Sequence, residues 1–488
     1  MPRLQALKKA PPMIEKSFVS TVLAGAAALM LAGCSLIPTY ERPAAPVPAS
    51  YPGAQPAATS PSPASTLAWQ DYFTDPRLAK LIETALANNR DLRVAVLNIE
   101  QARAQFQIQR AAQFPAVDLS ASGSRSSPNP LQALGLGGSV ASSYAVNLGI
   151  TAWELDFFGR VASLKEQALA QFLATEESRK ATQISLISAV ASGWLTLIAD
   201  DELLALTRQT LTTREESQKL TRMRFDSGVV SEIDLRLADS LAETARASYA
   251  EQRRLRMQDE NALALLLGAP VPPEATEGGA RGLDAVAPMA QLPAGLPSDL
   301  LGERPDIRAA EQQLIAANAN IGAARAAFFP RVTLTTSIGT ASNEFSNLFE
   351  RGTKAWAFSP QLTVPIFDAG RNRAGLDSAK AGREIAVAQY EKSVQTAFRE
   401  VADALAGRAT LGEQARAQTA QADAEAVRYK LSDLRYRNGI ASALDLLDAQ
   451  RSLFTAQQSA VATRLLQLQN QVTLYKTLGG GWATRNNG

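Results

Sequence analysis

The stretch YRNGIASALDLLDAQR, Tyr436 to Arg451, reads as a tight turn between two long helices. Asn438-Gly439 reaches positive φ at little cost and so ends one helix, while Ser442 is placed to cap the next. Past the cap, Leu444, Asp448 and Arg451 recur at i, i+4 and i+7. One apolar group, one carboxylate and one guanidinium therefore share a helical face, with Asp445 beside them. Such carboxylates have two readings: first-turn acids favoured by the positive end of a helix, or the lining of an opening.

Outward from this turn the helical pattern is long on both sides. Val387, Val394 and Val401 step by seven before it, and Leu447, Phe454, Val461, Leu468 and Tyr475 step by seven after it, the spacing of a coiled-coil seam. The same turn occurs 211 residues earlier, where Gly228 matches Gly439 and Asp234 matches Asp445. Gly159-Arg160 matches Gly370-Arg371 at that separation, and Phe114-Pro115 stops a helix as Phe329-Pro330 does. The chain is a tandem duplication. From Gly159 to Phe225 there is no proline, and an unbroken helix of that length would run roughly 100 Å.

Each half also carries two strands. Val117, Leu119 and Ala121 alternate with polar residues, as do Tyr144, Val146, Leu148, Ile150 and Ala152; Val332, Leu334 and Ile338, then Trp356, Phe358, Leu362, Val364 and Ile366, repeat the pattern. The second strand has transmembrane β length, and no mature segment approaches the apolar run that a membrane helix needs. Four strands cannot close on themselves, and an open edge in hydrocarbon costs several kcal/mol for each unmet backbone group. Chains must therefore associate, and three would supply twelve strands.

The 488 residues include no histidine and one cysteine, which excludes Ser-His-Asp and Cys-His chemistry and His/Cys metal sites. With 49 basic and 47 acidic residues, the charge balance gives no warrant for nucleic acid. The one cysteine follows Leu31-Ala32-Gly33 at the end of an uncharged run preceded by lysines, a signal peptide with a lipoprotein cleavage box; a start at Met13 gives the more ordinary length. The expected plan is a signal peptide over 1–33 and a Pro/Ala-rich, lipid-anchored tether over 34–68 that begins at acylated Cys34. A first repeat follows over 69–269, a connector over 270–303, a second repeat over 304–478 and a tail over 479–488.

Several long blocks, TAWELDFFGR at Thr151 to Arg160, PSDLLGERPDIRAAE at Pro297 to Glu311, NANIGAARAAFFP at Asn318 to Pro330, LLDAQRSLFTAQQ at Leu446 to Gln458 and LYKTLGGGW at Leu474 to Trp482, resemble the TolC superfamily of outer-membrane efflux channels over essentially the whole chain. The resemblance implies an α+β membrane channel. It would be a trimeric twelve-stranded β-barrel, four strands per chain, continued by a long periplasmic α-helical barrel. It further implies a homotrimer anchored in outer-membrane lipid, with a periplasmic adaptor protein and an inner-membrane resistance-nodulation-division transporter as partners, and neither enzymatic activity nor a cofactor. The periplasmic gate it implies is Leu444, Asp445, Asp448 and Arg451, with latch contacts from Tyr436 and Arg437 to Asp234; the first-half counterpart of Asp448 is Leu237. A duct for type I protein secretion and a non-conducting trimeric coiled-coil scaffold are the alternatives.

Overall fold

The computed structural model describes residues 35–48, 51, 67–127, 140–276, 282–290, 292, 302 and 304–483. The signal peptide and Cys34 lie outside the described residues. In chain order come α1 (Trp69–Tyr72), α2 (Pro76–Asn88), α3 (Arg90–Ala111), β1 (Asp118–Ser126), β2 (Ala141–Leu155), α4 (Arg160–Asp226) and α5 (Glu232–Leu267). The second half gives α6 (Pro305–Ala326), β3 (Arg331–Ser342), β4 (Lys354–Thr363), α7 (Arg371–Arg437) and α8 (Ala443–Thr477). α4 and α7 are each one helix of 67 residues and start 211 residues apart, as the missing prolines and the duplication predict.

The chain forms two units. The first contains residues up to Arg42, Gln101–Leu173 and Gln312–Ala388. Its sheet is antiparallel in the order β1-β2-β3-β4, so the two hairpins are joined by pairing β2 with β3, and β1 and β4 are left as edges. Leu119, Leu148, Ile338 and Trp356 stand abreast across all four strands, and all four are exposed. The next row of partners is Ser120, Asn147, Gly339 and Ala355. One face is thus an apolar band and the other is small and polar, the pattern of a sheet that meets lipid on one side. Gly339 is required where β2 and β3 approach, because a Cβ there would meet the Val146 carbonyl.

β2 runs past the expected end at Ala152 to Leu155. A β-bulge between Ile150 and Trp153 shifts the register, and Ala152 sits there at φ 51° with its N–H donating to Thr335 Oγ1 at 3.1 Å. At the strand-to-helix joint Arg160 grips Glu154 with two hydrogen bonds of 2.8 and 2.6 Å, and Asp156 accepts from the Ala162 N–H at 2.7 Å. The start of the expected tether is seated on this unit: Asn318 donates to the Pro38 carbonyl at 2.7 Å and Arg325 to that of Leu36 at 3.1 Å. Gly322 leaves room for Ile37, to which a Cβ would come within 2.6 Å.

The second unit contains Pro43–Glu100, Ala174–Glu311 and Gln389–Gly488, and its core is where α1, α2, α4, α5, α7 and α8 meet. Trp194 is fully buried and donates its indole N–H to the Ala275 carbonyl at 2.9 Å. Tyr72 stacks on Tyr475 at 4.0 Å between centroids, and both hydroxyls are satisfied, by the Gln471 and Leu67 carbonyls. Asp75 caps α2, accepting from the Arg77 N–H at 3.0 Å. Against the sequence expectation that no mature segment is apolar enough for a membrane helix, α4 contains a window of mean hydropathy 1.4 that is long and apolar enough to cross one by composition. More than half of that window is buried within the protein, where Ile187, Trp194 and Ile198 form part of this core.

Candidate functional site

The turn at Tyr436–Arg451 belongs to the second unit, and its geometry follows from a few residues. Gly439 takes φ 73°, its N–H bonds the Tyr436 carbonyl at 3.0 Å, and the Ile440 N–H bonds that of Arg435 at 2.9 Å, which closes α7 as a Schellman motif. Ser442 then caps α8. Its hydroxyl accepts from the Asp445 N–H at 3.2 Å, while Asp445 Oδ2 takes the Ser442 N–H at 3.1 Å and the Ser442 O–H at 2.8 Å. These bonds from Ser442 hold the Asp445 carboxyl below its usual range. The earlier turn is built the same way, with Gly228 at φ 72° and Ser231 paired to Asp234 at 3.2, 3.1 and 2.7 Å.

The charged residues of the two turns differ. Asp448 Oδ1 accepts from Arg451 at 2.7 Å and Oδ2 from Arg428 of α7 at 3.2 Å, and Arg428 also binds Glu425 at 2.8 Å. The first-half counterparts of Arg428, Asp448 and Arg451 are Ser217, Leu237 and Ser240, which cannot form such a bridge. Leu444 is 65% exposed, as are Ile440 and Leu434 to similar degrees.

The structure brings Asp448 and Arg451 together and puts Leu444 and Asp445 within a turn of them. The three expected latch residues take other partners within the chain. Arg437 binds Asp433 at 2.8 Å, one turn back on its own helix; Asp234 is engaged by Ser231; the Tyr436 ring lies under the Arg224 guanidinium at 4.9 Å. Sequence reasoning missed Arg428 and Arg224. Arg428 was findable: in an antiparallel helix hairpin, residues equidistant from the turn face each other, and Asn438 is the midpoint between 428 and 448.

The profile of outer membrane efflux proteins matches residues 81–269 and 296–480. The chain belongs to that family. Among relatives of this efflux protein, the probable efflux pump outer membrane protein TtgC of Pseudomonas putida is 49% identical over 93% of this chain and 94% of its own. The outer membrane protein OprJ of Pseudomonas aeruginosa is 45% identical over 93% and 94%. Of solved structures, the open state of the Neisseria gonorrhoeae MtrE outer membrane channel superposes with a TM-score of 0.81 at 42% identity, covering 92% of this chain and 99% of MtrE. The chain is therefore an outer-membrane efflux channel protein, with a helical body and four strands per chain. In this efflux protein only the second of two equivalent helix turns carries the Arg428–Asp448–Arg451 bridge.

Proposed function

We propose that the chain is the passive exit duct of a tripartite multidrug efflux pump, working as a homotrimer, with a periplasmic adaptor and an inner-membrane resistance-nodulation-division transporter as partners. The observation that carries this is the sheet: four strands with an apolar band, and two edges that find partners only in further chains. Three copies supply twelve strands. Relatives that act as toluene and antibiotic efflux pump components support the cargo class. The gate is the Tyr436–Arg451 turn, held shut by the Asp448 bridge and opened when partner proteins draw its helices apart. Acylated Cys34 anchors each chain in the outer membrane.

The test is single-channel conductance of the detergent-purified protein in planar bilayers, with native mass spectrometry of the same sample. Trimers that conduct steadily are the expected result. Monomers that keep their strand content, or trimers without conductance, would refute the duct reading.

A further inference from the structure

Within the second unit, α4, α7 and α8 line a half-open cavity of about 90 Å³ whose walls include Thr210, Thr213, Arg214, Tyr429, Gln450 and Phe454. Its polar groups are unusual. Arg214 is only 6% exposed, and among the described residues its guanidinium makes one long hydrogen bond, from Nη1 to the Leu241 carbonyl at 3.3 Å. Its Nε is buried without a partner, and no carboxylate pairs with it among the described residues. Gln450 is 8% exposed and its side-chain oxygen is likewise buried and unpartnered. A guanidinium does not shed its proton at physiological pH, so this is a buried cation with no counter-charge. Its burial is costly, and the Arg451 charge nearby disfavours it further.

Water alone would fill the volume, at about 30 Å³ a molecule, and leave the charge uncompensated. An anion removes the deficit. A dianion such as phosphate would exceed what one guanidinium neutralises, so a small monovalent ion matches the charge. The Gln450 amide can present its NH₂ to the cavity, since which way an amide points is set by the partners it finds, and the two threonine hydroxyls rotate to donate. We propose that this cavity is a binding site for a small monovalent anion of chloride's size, held by Arg214 with Gln450, Thr210 and Thr213 around it. The site is a property of the packing of three helices and does not depend on the duct reading. The Arg451 charge felt at Arg214 also holds Asp448 at 2.7 Å, so anion occupancy and the bridge at the turn share one local field.

Bromide replaces chloride and scatters anomalously, so the test is diffraction at the bromine edge from crystals of the purified full-length assembly soaked in sodium bromide. The expected result is a peak beside Arg214 in wild type and none in Arg214→Gln. In solution, the wild-type unfolding temperature should be higher in bromide than in gluconate of equal ionic strength, and Arg214→Gln should lose that difference. If Arg214→Gln does not assemble, Gln450→Leu keeps the cation and removes one ligand; its half-saturating bromide concentration should rise about tenfold. Peaks confined to surface arginines would mean an adventitious ion only and would overturn the proposal. So would a neighbouring chain's carboxylate seated on Arg214, or a bromide response unchanged in Gln450→Leu.

Discussion

Asp448 joins two arginines from opposite sides of one turn, Arg451 at 2.7 Å on its own helix and Arg428 at 3.2 Å on the preceding one. All three side chains are between 42% and 69% exposed, so each contact contributes at most about 1 kcal/mol. That is weak for holding a fold and suitable for a contact that must open. Arg428→Ser installs the residue that occupies the equivalent place in the first repeat. It should lower thermal stability by less than about 1 kcal/mol while raising the frequency or size of open-channel events in planar bilayers. Wild-type conductance from an intact assembly would remove the bridge from the gate.

Asp445 and Asp448 are separable. Asp445 Oδ2 takes two hydrogen bonds from Ser442, so its first role is to cap α8. Ser442→Ala should cost about 1 kcal/mol of local helix stability, read as faster amide exchange over the first turn of α8, with Ser231→Ala doing the same at α5. Asp448→Asn should change cation selectivity, read from reversal potentials in asymmetric salt. A larger selectivity change from Asp445→Asn than from Asp448→Asn would reverse this assignment.

The Asp445 shift sets an acid dependence. Its folded-state carboxyl is held below the ordinary value of 3.8, so the cap's electrostatic contribution is complete above that value and is lost as pH falls through the lower, folded one. Amide exchange in the first turn of α8 should accelerate only below about pH 4, and the acceleration should vanish in Asp445→Asn.

Asp200 works with the opposite sign. It is buried on α4 and accepts from Gln252 at 2.9 Å. Burial, then the hydrogen bond and charge of Asp259, push its carboxyl up to about 7, with Gln252 pulling the other way. The folded chain keeps a proton that the unfolded chain has released, so stability falls as pH rises from the ordinary 3.8 toward about 7. Asp200→Asn should flatten this dependence and raise the unfolding temperature at pH 8 relative to wild type. An unchanged slope between pH 5 and 8 would show that Asp200 is not the group responsible.

Cys34→Ser should abolish palmitate incorporation, and because closure depends on the strands, assembly should survive it. Residues 36 and 38 are held by Arg325 and Asn318, so the tail of the unacylated protein should stay protected from protease. Labelled palmitate retained in Cys34→Ser would disprove acylation at that residue.

Much of the architecture was legible because it rests on local chemistry. Missing prolines license two helices of 67 residues, Gly228 and Gly439 end them at positive φ, and Ser231 and Ser442 restart the chain as helix. Period-two alternation located all four strands. What stayed hidden depends on competition among partners. Within one chain Arg437 pairs with Asp433, one helical turn back on α7 and reached with less ordering of a long side chain than a partner across the turns. The bulge at Ala152 has no marker residue such as glycine. The seat for residues 36–38 on α6 joins segments about 280 residues apart, which no periodicity records.

The pairing of β2 with β3 joins the second strand of one repeat to the first strand of the next. Repeated between chains, the same relation would join β4 to the β1 of a neighbour, so every seam around the sheet would be one kind of contact, used six times. A half-length ancestor with one hairpin would have closed this ring only with six copies, each bound to the same sequence at every position. Fusion of two halves into one polypeptide lifted that constraint. Inheritance could then change Asp448 without changing Leu237, and a uniform ring acquired alternate members free to take different duties.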